Sequence, residues 1–244
     1  MTDITVLKLG GNALSETDKI VEFLNNFPYQ KLVLVHGGGP QISAMLKKLG
    51  HQPKFVDGLR VTDQVTLDTV RQVLAGEVNT KLVSSLRHHG FPAVGLSGVD
   101  GGTLQAQPLR GGELGFVGET PSVDPSLLHA LLGSGFVPVL APLSGGPNGS
   151  ELNVNADTTA GAVAAALGAK HLVFLTDVCG VLDANGHLLP ELNGEAVSTL
   201  HQNGVVSTGM LPKLQAALYA SGAGVAKVEI RGSQSGPGTL MKAA

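Results

Sequence analysis

The chain has 244 residues, of which 43% are apolar and only 14% charged, which suits one domain, at most two, around a large core and excludes a disordered chain. Sixteen basic against 19 acidic residues leave a net charge of −3, so a nucleic-acid-binding footprint is not expected, and no apolar run is long enough to span a membrane. The lone Cys179 excludes an internal disulfide and a cysteine-based metal cluster. The stretch from Met1 to Leu9 lacks the basic region and apolar run of a secretory leader, so the expected setting is the cytoplasm.

In chain order, Ile4 to Leu9 reads as a buried strand and Asp18 to Phe27 as an amphipathic helix. A second strand, Lys31 to Val35, ends at His36. Pro40 opens a helix that stops at Gly50. Asp63 is a candidate N-cap for a helix to about Leu74, and a separate helix runs from about Val78 to His89. Ala93 to Leu96 is a strand, Thr103 to Gly118 hairpin material, Pro125 to Leu132 a short helix and Val137 to Leu140 a strand. Ala156 to Leu167 is an Ala-rich helix, His171 to Leu175 a strand, Gly209 to Ser221 a helix and Ala226 to Ile230 a strand. This alternation predicts a three-layer αβα sandwich with a mainly parallel central sheet, and ligands at the C-terminal ends of its strands. Ser144 to Ser150 is the only linker-like run. It divides a single domain, 1–244, into an N-terminal lobe (1–150) and a smaller C-terminal lobe (151–244).

The 34 glycines, about twice the usual share, cluster after these strands, where bare N–H groups can face an anion. There is no Walker loop, no dinucleotide fingerprint, no nucleophile elbow and no H-x-x-x-H pair. Lys8 ends the first strand beside Gly10 and Gly11, an arrangement suited to a phosphate, or simply a lysine reaching solvent. His36-Gly37-Gly38-Gly39-Pro40 places glycines before a helix N-terminus, an anion site or a tight turn; His36 reads as a structural residue. Arg60, in Asp57 to Asp63, can fork onto a carboxylate or lie on the surface. In Asn153-Val154-Asn155-Ala156-Asp157, capping accounts for Asn155 or Asp157 but not for all three polar residues. Thr176 to Leu182 reads as a strand end and turn. Lys213 sits in the first turn of a helix, where a cation is out of place unless an anion joins it.

Together these segments resemble the amino acid kinase family, most closely its members that act on N-acetyl-L-glutamate. The matching pieces are Lys8-Leu-Gly-Gly, His36-Gly-Gly-Gly-Pro, Gly58-Leu-Arg-Val-Thr, Gly95-Leu-Ser-Gly with Asp100-Gly, Gly115-Phe-Val-Gly-Glu, Asn153-Val-Asn-Ala-Asp, Thr176-Asp-Val-Cys-Gly-Val and Gly209-Met-x-x-Lys213, in the family's order. The resemblance implies phosphorylation of the γ-carboxylate of N-acetyl-L-glutamate by ATP in L-arginine biosynthesis, with Mg²⁺ arriving on the nucleotide and no separate metal cage. It implies catalytic roles for Lys8, Lys213 and Asp157, and acceptor binding by Gly38, Gly39, Arg60 and Asn153. Gly10 and Gly11, then Asp177, Val178, Cys179, Gly180, Val181 and Leu182, and Val205, Val206 and Ser207 would border the nucleotide. The first lobe would then hold the acceptor and the dimer contacts, the second the nucleotide.

The sequence also departs from the family, with a short segment after Ile230 and only seven residues before Lys8. The latter leads to the expectation of a homodimer insensitive to L-arginine. Its interface would come from the helices between Asp63 and His89, through Val65, Val70, Val73, Leu82, Val83 and Leu86. Alternatives are a kinase of carrier-linked aminoadipate, kinases of carbamate, glutamate or a nucleotide, and a non-catalytic nucleotide sensor. Arg60 and Asn153 speak against the second group, and the two lysines against the sensor.

Overall fold

The computed structural model describes residues 3–10, 17–27, 29–206, 209–233 and 236–243. The first half contains β1 (Ile4–Leu9), α1 (Thr17–Asn26), β2 (Lys31–His36), α2 (Gly39–Lys48), and the hairpin β3 (Phe55–Val56) and β4 (Leu59–Arg60). There follow α3 (Gln64–Val70), a π-helical segment Arg71–Val78 and α4 (Asn79–His88), then β5 (Ala93–Ser97), β6 (Leu104–Gln105), β7 (Ser122–Val123), α5 (Ser126–Gly133) and β8 (Val137–Ala141). Beyond these come β9 (Leu143–Gly145), β10 (Glu151–Asn153), α6 (Ala156–Ala166), β11 (His171–Thr176), β12 (Glu191–Leu192), α7 (Gly194–Gln202), α8 (Leu211–Gly222), β13 (Lys227–Gly232) and β14 (Thr239–Met241).

Eight strands form one sheet in the order β12-β14-β13-β11-β1-β2-β8-β5. Its pairings are parallel except β13 with β14. Side-chain alternation divides β1 between two cores. Ile4 and Val6 join Val163, Leu214 and Ala217 of α6 and α8 on one face. Leu7 and Leu9 join Leu24 of α1 and Leu86 of α4 on the other. This is the expected αβα sandwich. The same alternation puts Lys8 on the α6/α8 face, at the C-terminal end of its strand.

Four sequence expectations change. Ser144 to Ser150 is no linker: it carries the turn of the antiparallel β9–β10 hairpin, in a second sheet ordered β10-β9-β6-β7. The hairpin expected within Thr103 to Gly118 forms but runs further: Pro108 bridges Gly118 in antiparallel fashion, and the pairing continues outward to β6 against β7, at Ser122–Val123. The helices expected on either side of Gly76 are joined, because the π-helical turn carries the backbone through that glycine. Finally, four of the six residues offered for the dimer interface, Val70, Val73, Leu82 and Leu86, are packed inside this chain's own cores, and only Val65 is exposed.

Candidate active site

Three charged side chains meet where β1, α6 and α8 converge. Lys8 Nζ and Lys213 Nζ each lie 2.9 Å from the same oxygen, Oδ1 of Asp157. All three residues are at most 8% exposed. Asp157 is available for this because Asn155 caps α6, accepting from the N–H groups of Asp157 and Thr158 at 2.8 and 3.2 Å. The cap ambiguity of the sequence is thereby settled. Burial alone would raise the Asp157 carboxyl, but the two ammonium groups and their hydrogen bonds outweigh it and hold it below the usual carboxylate range. Burial, and then the charge of Lys8, pull Lys213 below the ordinary lysine range, with Asp157 opposing them. Lys213 also stands 5.4 Å above the ring of Phe174, the residue beside Lys8 in the β1–β11 register.

From this centre a cleft of about 270 Å³ extends over the C-terminal ends of the strands. Its walls include Lys8, Gly38, Gly39, Arg60, Asn153 and Asp157. The N-terminus of α2 opens onto it, with Ile42 N–H already bonded to the Gly38 carbonyl. Arg60 enters from a hairpin turned by Asp57 and Gly58, both at positive φ (51° and 78°). Its Nη2 donates to the Gly39 carbonyl at 2.9 Å and to Ser43 Oγ at 2.8 Å, and its guanidinium lies 4.7 Å from the Phe55 ring centre. Its Nη1 is buried and has no hydrogen-bond partner. Burial pulls its pKa down. A buried cationic donor left open in this way calls for an anionic acceptor in the cleft. Asn153 Nδ2 donates to Thr62 Oγ1 at 3.1 Å. The stretch from Gly115 to Val117 lies between Thr62 and Asn153, bridging to each in parallel, and so ties the Arg60 and Asn153 walls together.

His36 is wholly buried, with its pKa lowered to about 4 by that burial. Its role is structural, as the sequence indicated: its two ring nitrogens are engaged by Gly37 and Asn79.

The nucleotide candidates are placed differently. Asp177, Val178 and Cys179 are exposed just past β11, beside the end of β1. Gly180 and Val181 are buried, and Val181 N–H donates to Thr239 Oγ1 at 2.8 Å. Leu182 and Val205 are half-buried, and Val206 belongs to the α6/α8 core. None of these residues lines the cleft that holds Arg60. Gly10 follows Lys8 directly; Gly11 and Ser207 lie outside the described residues. Sequence reasoning missed Ser43, Phe55 and Phe174 as supports of the site. Phe174 could have been found by pairing the two apolar strands that end in Lys8 and Thr176.

A parallel αβα sheet whose glycine loops and paired lysines converge at the strand ends is the architecture of a phosphoryl-transfer enzyme. The chain belongs to the amino acid kinase family, whose model matches residues 3–232. It is 46% identical over 237 residues to the acetylglutamate kinase of Acidiphilium cryptum, covering 90% of this chain and 79% of that one. It is 47% identical to that of Geobacillus stearothermophilus, covering 90% and 86%. Among solved structures, smu.665 from Streptococcus mutans superposes over the whole of both chains with a TM-score of 0.89 at 31% identity. A carbamate kinase from Giardia, at 15% identity and a TM-score of 0.67 over 100% of this chain and 99% of that one, shares the fold.

Proposed function

We propose that the protein transfers the terminal phosphoryl group of ATP to the γ-carboxylate of N-acetyl-L-glutamate, giving an acyl phosphate for L-arginine biosynthesis. The observation that carries this reading is Arg60: a buried guanidinium with one nitrogen unpartnered, in a cleft that ends on two buried lysines. The names of the most similar relatives agree with it.

In this reading Arg60 takes the substrate's α-carboxylate, and Asn153 with Gly38 and Gly39 fixes the rest of the molecule. The γ-carboxylate is ionised at neutral pH and needs no general base. One of its oxygens attacks the γ-phosphorus in line as the bond to the ADP oxygen breaks. The equatorial oxygens gain charge as they spread, and Lys8 and Lys213, from opposite sides, neutralise it. Asp157 keeps both ammonium groups charged and aimed; with one oxygen shared between them, it is placed as an orienting group. Gly10, Gly11, Asp177 to Leu182 and Val205 to Ser207 border the nucleotide.

ATP use accords with membership of a kinase family. Asp157 is engaged by both lysines, and among the described residues no group of three or more His, Cys, Asp or Glu could hold a metal ion. Mg²⁺ would arrive on the nucleotide's phosphates, where it lowers their charge. We assign 1–150, joined by Asn153, to acceptor binding and dimer contacts, and 151–244, joined by Gly10 and Gly11, to the nucleotide. A homodimer is proposed because closed two-fold pairs are the commonest soluble assembly and β5 ends the main sheet with one edge unpaired among the described residues. Among the described residues no helix is long and apolar enough to cross a membrane, and the cytoplasm is the proposed location.

Trapping the acyl phosphate with hydroxylamine tests the reaction. A hydroxamate should form with N-acetyl-L-glutamate and ATP, and not with a carrier-linked aminoadipate; the reverse result would overturn the reading.

A further inference from the structure

The glycine loop after β2 is held from below by a residue that no motif singles out. Asn79 is the first residue of α4, directly after the π-helical segment, and is 5% exposed. Its Nδ2 lies 3.0 Å from His36 Nε2 and donates to the Val139 carbonyl of β8 at 2.9 Å. On the far side of the same imidazole, Nδ1 lies 2.9 Å from the Gly37 carbonyl. The amide NH₂ can only donate and the carbonyl can only accept, so the ring must be the neutral Nδ1–H tautomer, accepting at Nε2 and donating at Nδ1. A second route reaches the next residue. Leu74 and Val78, on the π-helical segment that Asn79 terminates, crowd Gly38: a Cβ there would sit 2.8 Å from Leu74 Cδ1 and 3.7 Å from Val78 Cγ2. The space for Asn79 is also reserved from the opposite strand, since a Cβ on Gly95 would fall 2.1 Å from Asn79 Oδ1.

We propose that Asn79 is a positioning residue for the acceptor: through His36 and through the end of the π-helical segment it fixes Gly37 and Gly38, and so sets the wall on which the acceptor lies. It touches neither substrate nor the two lysines. The polar contact of Asn79 on His36 and the packing of Leu74 and Val78, which precede it on the same continuous helix, converge on adjacent glycines of a single loop. β8 serves as the fixed reference, because the Val139 carbonyl anchors the same amide. Losing Asn79 therefore leaves the loop free to shift while the paired lysines keep their geometry.

This inference rests on the acetylglutamate reading, and the wild-type protein assayed alongside separates the two: if wild type makes no hydroxamate from acetylglutamate, the reading fails first. With wild type active, Asn79→Ala should raise the acetylglutamate KM about tenfold, with kcat and the ATP KM each within about twofold. Asn79→Ser, which keeps one donor and a smaller cavity, should show a lesser rise of the same kind and serves where the alanine variant does not fold. Acetylglutamate affinity measured by calorimetry without turnover should weaken in parallel. A KM for acetylglutamate that stays at the wild-type value, or that rises only together with the ATP KM, would overturn the proposal.

Discussion

The cleft proposed for the acceptor and the segment proposed to border the nucleotide are built by different means. Arg60 and Asn153 are held by side chains and carbonyls from α2, Thr62 and Gly39, so their geometry stands without a ligand. Asp177, Val178 and Cys179 are exposed past β11, and two residues beyond Cys179 the Val181 N–H donates to Thr239 Oγ1. The contrast teaches that selectivity for the acceptor is stored in the folded chain. The segment proposed for the nucleotide lies at a strand end, where backbone groups can meet phosphate without demanding particular side chains.

Substitutions can break or sharpen that contrast. The largest effect is expected at the shared centre. Asp157→Asn leaves two buried ammonium groups facing a neutral amide and should cost about 3–5 kcal/mol of stability in denaturant unfolding. Because the folded Asp157 pKa is lowered, its contribution is fully present above about pH 4 and is lost as the pH falls through the folded value. The wild-type acid-unfolding curve should show that slope and the variant should not. Next comes Lys213→Ala, expected to lower kcat by about a hundredfold, about 3 kcal/mol, with little change in the acetylglutamate KM. Near-normal turnover would remove Lys213 from the mechanism. Arg60→Lys keeps the charge but not the fork, and should raise the acetylglutamate KM about tenfold with ATP binding nearly constant. Collapse of ATP affinity instead would mean the two halves are assigned the wrong way round. The smallest effect belongs to the exposed Cys179: Cys179→Ser should move either KM by less than about twofold. A larger shift in the ATP KM would show that this segment grips the nucleotide through side chains after all.

Much of this was legible in the sequence, for identifiable reasons. Continuous apolar strands and helices with one clear face, such as Ile4–Leu9 and Thr17–Asn26, carry their own periodicity. Helix α7 was missed because it buries only Val197 as a fully covered residue, so its pattern is faint although Asn193 caps it. The sequence separates two helices between Leu74 and Val78, a stretch that holds Gly76; nothing local announces that a wider turn will carry the helix through it. The β9–β10 hairpin looked like a linker since its turn is rich in Gly and Pro, and its strands are three residues each. At the site, the charged residues stood out from apolar runs. Their supports, Ser43, Phe55, Asn79 and Phe174, are ordinary residues whose meaning depends on partners far along the chain.

The close contact of α6 with α8 has a consequence for anyone seeking a hardier form of this protein. Gly161 lies one helical turn after Asp157, and a Cβ there would sit 2.9 Å from the Ala216 carbonyl, one turn after Lys213. A glycine inside a helix is ordinarily the first residue an engineer exchanges for alanine, for a gain of up to about 1 kcal/mol. Here the added methyl would wedge the two helices apart at the point where they present the carboxylate and the ammonium to each other. Thermal tolerance gained elsewhere on the surface would leave catalysis alone; sought at Gly161, it would be traded directly against turnover.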